Sequence, residues 1–396
     1  MSLVLIGVGL LACTGGLAAW VLVMRSRHQP RPDLPLTARP PVTSTTATPP
    51  PPPAHAAVAA AALRQAVRAE RIAQPPVPAE APPEALANFH WAAPDSLSPQ
   101  RQQVLVAALR RIPRPAAALQ QLMSPQFLTR ASSGELSDLI TGEVQIAVKV
   151  LAAVNSPFYG LRQPVTRIGQ AVTFLGLNSV RSICMQYLLD DSFKAGNAEQ
   201  RQAYAQIWAA SALASELCAK LAPRLALPDP GAMVAQVLLS FLGHLGATSL
   251  LLHPPGAQPT SGDLLARCRQ SQDELGLTPA EIGGLLLREW RLPETLIHEV
   301  CSIDRLLVTP AEAFPSQRNQ SLAVAYLCAR LGERLTVAPT DLAGFNPRHA
   351  TGEDFFHLRG YLASSGLARL NDHLHGPDVL RCLQALHPPQ FSAVDA

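Results

Sequence analysis

Aromatic residues are scarce, 5% of the 396-residue sequence, and Asp, Glu, Lys and Arg together make up only 15%. A chain poor in Tyr, Phe and Trp but rich in alanine and leucine favours helices over sheets. Charge of one sign is also missing: the net is +3, with no basic run interleaved with aromatics. That balance argues against a nucleic-acid surface, and no nucleic-acid partner is expected. Paired cysteines are missing too. Cys13, Cys184, Cys218, Cys268, Cys301, Cys328 and Cys382 stand far apart and never form CxxC. This excludes a disulfide framework and a zinc ribbon. Most of them fall in apolar helical patterns, where a reduced cysteine packs as a small hydrophobe in a reducing compartment. No Walker loop, GxGxxG, GxSxG or HExxH motif occurs, so the chain carries no signature of those chemistries.

The N-terminal part has one long apolar run and much of the proline. Leu3 to Met24 is uncharged, and as a helix it spans about 33 Å, enough to cross a bilayer. Arg25, Arg27 and Arg31 follow it and no Lys or Arg precedes it. The positive-inside rule then places the N-terminus outside and everything after Met24 in the cytoplasm. Leu10-Leu11-Ala12-Cys13 loosely resembles a lipoprotein cleavage site, but the basic start is absent and apolar sequence continues past Cys13. Small residues at Gly7, Gly9, Gly15 and Gly16 leave a homodimer through this helix open, without a strict GxxxG.

From Gln29 to Pro53 proline fixes φ and removes backbone donors, which predicts extended polyproline II reaching about 75 Å. Ala56 to Ala73 has helix formers, with Arg64, Arg68 and Arg71 on one face. That face is either solvated or touches anionic lipid. Ordered structure is expected from Asp95. Ser98 and Pro99 form an N-cap and first helical position, and Ser132 with Glu135 is spaced as a capping box. Val144 to Val154 is almost wholly apolar and reads as a helix buried on most sides. Ile168 to Leu175 is closed by Gly176, and Asn178 is expected to cap the helix that follows.

Arg111-Ile112-Pro113-Arg114-Pro115, Asn155-Ser156-Pro157-Phe158-Tyr159-Gly160-Leu161, Ile168-Gly169-Gln170-Ala171-Val172 and Leu175-Gly176-Leu177-Asn178-Ser179-Val180-Arg181 together resemble the HDOD family. The resemblance covers Ser98 to Leu307. It implies a compact all-α domain related to the metal-dependent HD phosphohydrolases, in a family generally regarded as non-catalytic and regulatory. The organisation expected is a transmembrane anchor over 1–24 and a Pro/Ala-rich linker over 25–94 with a helix at 56–73. An HDOD domain over 95–310 and a helical extension over 311–396 complete it.

The HD enzymes need histidines and a His-Asp pair to hold metal ions that activate water and stabilise charge on phosphate. Carried over position by position, this sequence departs from that pattern. Where relatives have Trp-x-His-Ser it has Trp208-Ala209-Ala210-Ser211, and the His-Asp dyad becomes Gly243-His244. Pro279 stands where relatives often keep histidine, and the histidine pair frequently found after Trp290-Arg291-Leu292-Pro293 is absent around Ser302. Ala210, Gly243 and Pro279 offer no ligand. His244 alone reads as a packed or hydrogen-bonded residue. Asp372-His373-Leu374-His375 has its two histidines pointing apart on a helix or solvated on a loop. Gly283-Gly284 reads as a close helix contact.

The expectation is a non-catalytic scaffold with no cofactor, which binds signalling proteins whose identity the sequence does not give. Asn155, Ser156, Phe158, Tyr159, Gly160 and Arg181 are the candidate partner-binding or structural residues. Phe158 and Tyr159 either meet a partner or plug the core, with Asn155 capping a helix end. Two alternatives stand beside this reading: a sensor holding a signalling nucleotide in the vacated cleft, and a residual metal-dependent phosphohydrolase.

Overall fold

Short polar residues ahead of proline or glutamate start several of the early helices. The structure is a computed structural model that describes residues 81–380, apart from 157, 158, 160, 162, 252–262, 314, 315 and 338–341. The expected membrane helix, and the linker with its helix at 56–73, lie outside these residues. After one turn, α1 (Glu84–Ala87), helix α2 runs Pro99–Leu109. The Ser98 hydroxyl accepts from the Arg101 amide and Pro99 occupies the first turn, as the sequence predicts. Helices α3 (Ala117–Leu122), α4 (Pro125–Arg130) and α5 (Ser133–Gly142) follow, and α5 opens with the Ser132–Glu135 capping box. Then come α6 (Val144–Val154), α7 (Ile168–Leu175), α8 (Leu177–Asp190), α9 (Ala198–Arg224) and α10 (Pro230–Leu250). The chain continues through α11 (Leu264–Leu275), α12 (Pro279–Glu289), α13 (Glu294–Arg305), α14 (Ser316–Val337), α15 (Glu353–Leu362) and α16 (Leu370–Leu374). No strand occurs among the described residues, and the fold is all-α.

Two apolar clusters form the interior, and α9 and α10 contribute to both. Val237 and Phe241 face one cluster, built with α14, α15 and α16, while Leu238 and Leu242 face the other, built with α2 to α8 and α12. Helix α10 is long and apolar enough to cross a membrane, yet 83% of its apolar window is buried in the protein, where it serves as the central core helix. A helix apolar all round fits a site with neighbours on every side. The helices beyond residue 310 therefore complete the core: Tyr326, Leu327 and Leu331 of α14 are fully buried against α9.

Two expectations change. Helix α6 is buried along one stripe only, at Ile146, Val150 and Val154, while Val144 and Val148 are 71% and 63% exposed. An almost continuous apolar run conceals which face is covered. Described structure also begins before Asp95. Leu86 enters the core, the Trp91 indole donates to Glu281 Oε1 at 2.8 Å, and Gln272 binds the backbone of His90 and Ala92.

The α9–α14 crossing needs Gly332, because a Cβ there would sit 2.5 Å from the Ala210 carbonyl oxygen and 2.8 Å from Ala214 Cβ. Backbone cannot yield as a side-chain tip does. Gly332→Ala is expected to lower stability by about 1–3 kcal/mol by overpacking, in spite of the helix-propensity gain of about 1 kcal/mol. Urea unfolding followed by circular dichroism measures the difference.

Candidate functional site

Asn155 and Arg181, from two of the four motif segments, hold backbone. Asn155 follows the last residue of α6, and its Nδ2 donates to the Leu151 carbonyl at 2.9 Å and the Val165 carbonyl at 2.8 Å. Its Oδ1 accepts the Val165 amide at 2.7 Å. One amide side chain thus imitates a backbone pair and closes the neck of the intervening loop. Arg181 is 1% exposed on α8 and donates to the Phe127 and Leu128 carbonyls at the end of α4, at 3.4 and 3.3 Å. Asn178 accepts from Arg181 at 2.6 Å, one turn earlier on the same helix. Asn178 therefore does not cap α8, whose N-cap is Gly176 at φ +89°; it steers the arginine instead. Burial lowers the Arg181 pKa to about 10. Arg181 also reaches α10 so closely that a Cβ at Gly231 would collide with it.

Ser156 and Tyr159 face a groove of about 330 Å³ shared with Gln186 and Tyr187 of α8, Leu213 of α9 and Leu335 of α14. Phe158 and Gly160 lie outside the described residues. Arg181 does not line the groove, so the motif residues separate into a groove-lining pair and two backbone clamps.

Gly243, Pro279 and Ala210, which the sequence reading sets against metal ligands of the HD enzymes, are tightly packed. A Cβ on Gly243 of α10 would lie 2.1 Å from the Pro279 carbonyl oxygen, and one on Gly283 would lie 2.9 Å from Gly243 Cα. Helices α10 and α12 thus meet backbone to backbone there. Ala210 is 3% exposed and supports Gly332 of α14. His244 is not isolated. Its Nε2 lies 3.0 Å from Oδ2 of Asp304 on α13, 60 residues away. Asp304 also accepts from Arg330 Nη2 of α14 at 2.9 Å. Arg330 Nη1 lies 2.9 Å from Glu333 Oε2, which Arg267 of α11 approaches to 2.6 Å. Asp354 of α15 accepts the Leu264 amide at 2.9 and 3.1 Å, capping α11. Sequence reading missed Asp304, Arg330, Glu333, Arg267 and Asp354. These charges lie on helices of mixed polarity, where nothing in the local sequence separates a buried charge from a solvated one. Among the described residues, no three His, Cys, Asp or Glu side chains gather into a metal-binding group.

The HDOD domain family profile matches residues 111–305. Those residues are an HDOD domain. Among solved structures, an HDOD domain protein of unknown function from Geobacter sulfurreducens is 17% identical. That match covers 72% of this chain and 98% of the other, at a TM-score of 0.47. A candidate signal transduction protein from Marinobacter aquaeolei VT8 is 22% identical, covering 76% of this chain and 62% of its own, at 0.48. A candidate phosphohydrolase from Shewanella amazonensis SB2B is 17% identical, covering 71% and 97%, at 0.47. No curated protein matches the chain.

The HDOD profile ends one residue past Asp304, yet that carboxylate depends on a helix outside the profile. Burial alone would raise the Asp304 pKa, but Arg330, with His244 and Arg267, outweighs it and holds the group at about 2. Burial works against the Arg330 charge too, and Glu333 and Asp304 overcome it and raise its pKa. Asp354 goes the other way: burial lifts it from 3.8 to about 6, and Arg330 and Arg267 offset this only in part. Replacing the cation with an apolar isostere leaves buried carboxylates without it. Arg330→Met is expected to cost about 3–5 kcal/mol, read as a lower thermal midpoint.

The two aspartates give stability opposite pH slopes. The folded protein holds the Asp354 proton more tightly than the unfolded chain. That contribution is full below pH 3.8 and is lost as pH rises through about 6. Asp304 stabilises above 3.8 and its contribution is lost as pH falls towards 2. Asp354→Asn is expected to remove the part of the stability gain between pH 7 and pH 5 that the wild type draws from this proton. Thermal melts of both proteins across that range measure the difference.

Proposed function

We propose that this protein is a membrane-anchored, non-catalytic HDOD signalling module that binds a protein partner through the groove beside Tyr159. The observation that carries the non-catalytic reading is the packing at the metal-ligand positions. Gly243 abuts the Pro279 carbonyl, and Ala210 abuts Gly332. A side chain at 243 has no room between α10 and α12, so a ligand restored there would displace backbone. The remaining Asp304 is committed to Arg330, a fixed cation that cannot activate water. The residues present do not fit a divalent metal.

The groove supports the binding reading. It combines two tyrosines with small and aliphatic side chains, the composition that gives recognition surfaces their anchoring contacts. The uncharged run Leu3 to Met24, followed by Arg25 and Arg27, supports an inner-membrane anchor with the HDOD domain in the cytoplasm.

Two measurements test this. The purified full chain, incubated with Mn²⁺ or Fe²⁺ and desalted, is expected to retain well under one ion per chain. It is also expected to leave bis-p-nitrophenyl phosphate intact; one or two bound ions with turnover would overturn the non-catalytic reading. A photo-crosslinking residue in place of Tyr159 is expected to give a discrete protein adduct in membranes, absent when the same residue replaces exposed Val104. No adduct at 159 would overturn the groove assignment.

A further inference from the structure

A second cavity, of about 420 Å³, lies where α2, α8 and α10 all end. Its polar chemistry is one-sided. Arg111, one residue into the HDOD profile's first motif, and Lys194, in the turn after α8, line it, and no acidic side chain does. Both are exposed, and among the described residues neither has an ion-pair partner. Carbonyl groups at helix ends would ordinarily attract such cations. Here several of those carbonyls already have donors. The Ala108 carbonyl accepts the Arg111 amide at 3.1 Å, Leu189 the Ser192 amide at 3.0 Å, and Asp190 the Phe193 amide at 3.1 Å. The Gly246 carbonyl accepts the Ser249 hydroxyl at 2.7 Å. The cavity is thus left with two unpaired cationic donors.

Phe193 and Tyr204 also line the cavity, and their rings are held by packing. Phe193 meets Tyr204 edge-on at 6.1 Å, and Trp208 and Trp290 at 6.2 and 6.3 Å. The Tyr204 hydroxyl hydrogen-bonds Ser249. A cavity of this size with a rigid ring wall and a few placed polar groups has the make-up of a small-molecule site. Two cations in a lining with no acidic side chain select an anionic group, and the arginine fork suits phosphate or carboxylate geometry.

We propose that this cavity binds a small anionic ligand carrying a planar ring, of nucleoside monophosphate size, with the anion on Arg111 and Lys194 and the ring against Phe193 and Tyr204. The site is separate from the Tyr159 groove and from the positions aligned with metal ligands. Its truth does not depend on the partner-binding reading. Arg111 and Lys194 act purely as binding residues here, and their exposure means that they can be removed without touching the core.

Isothermal titration of the detergent-purified full chain with adenosine 5′-monophosphate, adenosine and inorganic phosphate tests the proposal. The monophosphate is expected to bind at least about tenfold more tightly than either fragment. Arg111→Ala with Lys194→Ala is expected to weaken it at least about tenfold, the loss of one charge-assisted contact or more, with an unchanged thermal midpoint. Three outcomes would each overturn the proposal: no monophosphate binding, equal binding by the double variant, or phosphate alone binding as tightly as the monophosphate.

Discussion

A carboxylate buried in an apolar helical bundle must be neutralised, and in this protein Asp304 is neutralised from outside its own profile-matched domain. It lies at the end of α13, and Arg330, its cationic partner, comes from α14. Neither charge is tolerable there without the other, since each would lose its hydration with nothing in return. The pairing obliges α14 to lie along α13 at one register. Glu333 and Arg267 extend the same constraint to α11, and Asp354 extends it to α15 through the cap on Leu264. Four helices are thereby indexed to one another by charge, where apolar contacts alone would tolerate sliding.

Small residues make the second half of the argument. Gly243 and Gly283 let α10 and α12 touch through backbone, and Ala210 and Gly332 do the same for α9 and α14. Ala210 and Gly243 read as lost ligands only when the sequence is set beside the HD enzyme pattern. In the folded protein Gly243 and Gly332 are a condition for close approach, so a larger residue at either would disturb a helix crossing.

Local chemistry was readable in advance. Ser98 with Pro99, Ser132 with Glu135, and Gly176 at positive φ all act where the residue types indicate, because a cap involves only a few consecutive residues. The four motif segments also marked out the HDOD domain. Reading failed where the partner was distant. Nothing near His244 announces Asp304, and nothing near Asn155 announces Val165. Asn178 looked like a cap because asparagine before an apolar run usually is one, but the buried Arg181 claimed its oxygen first. In the segment before Asp95, proline and alanine obscured a Trp91 whose indole reaches Glu281 of α12.

The Asn155–Val165 clasp concentrates the hold on two helices in one side chain. Both ends of the segment between them are joined by that amide, so part of the entropy of closing it is met at the neck. The end of α6 and the approach to α7 are thus fastened by a single residue, and losing it would release both at once.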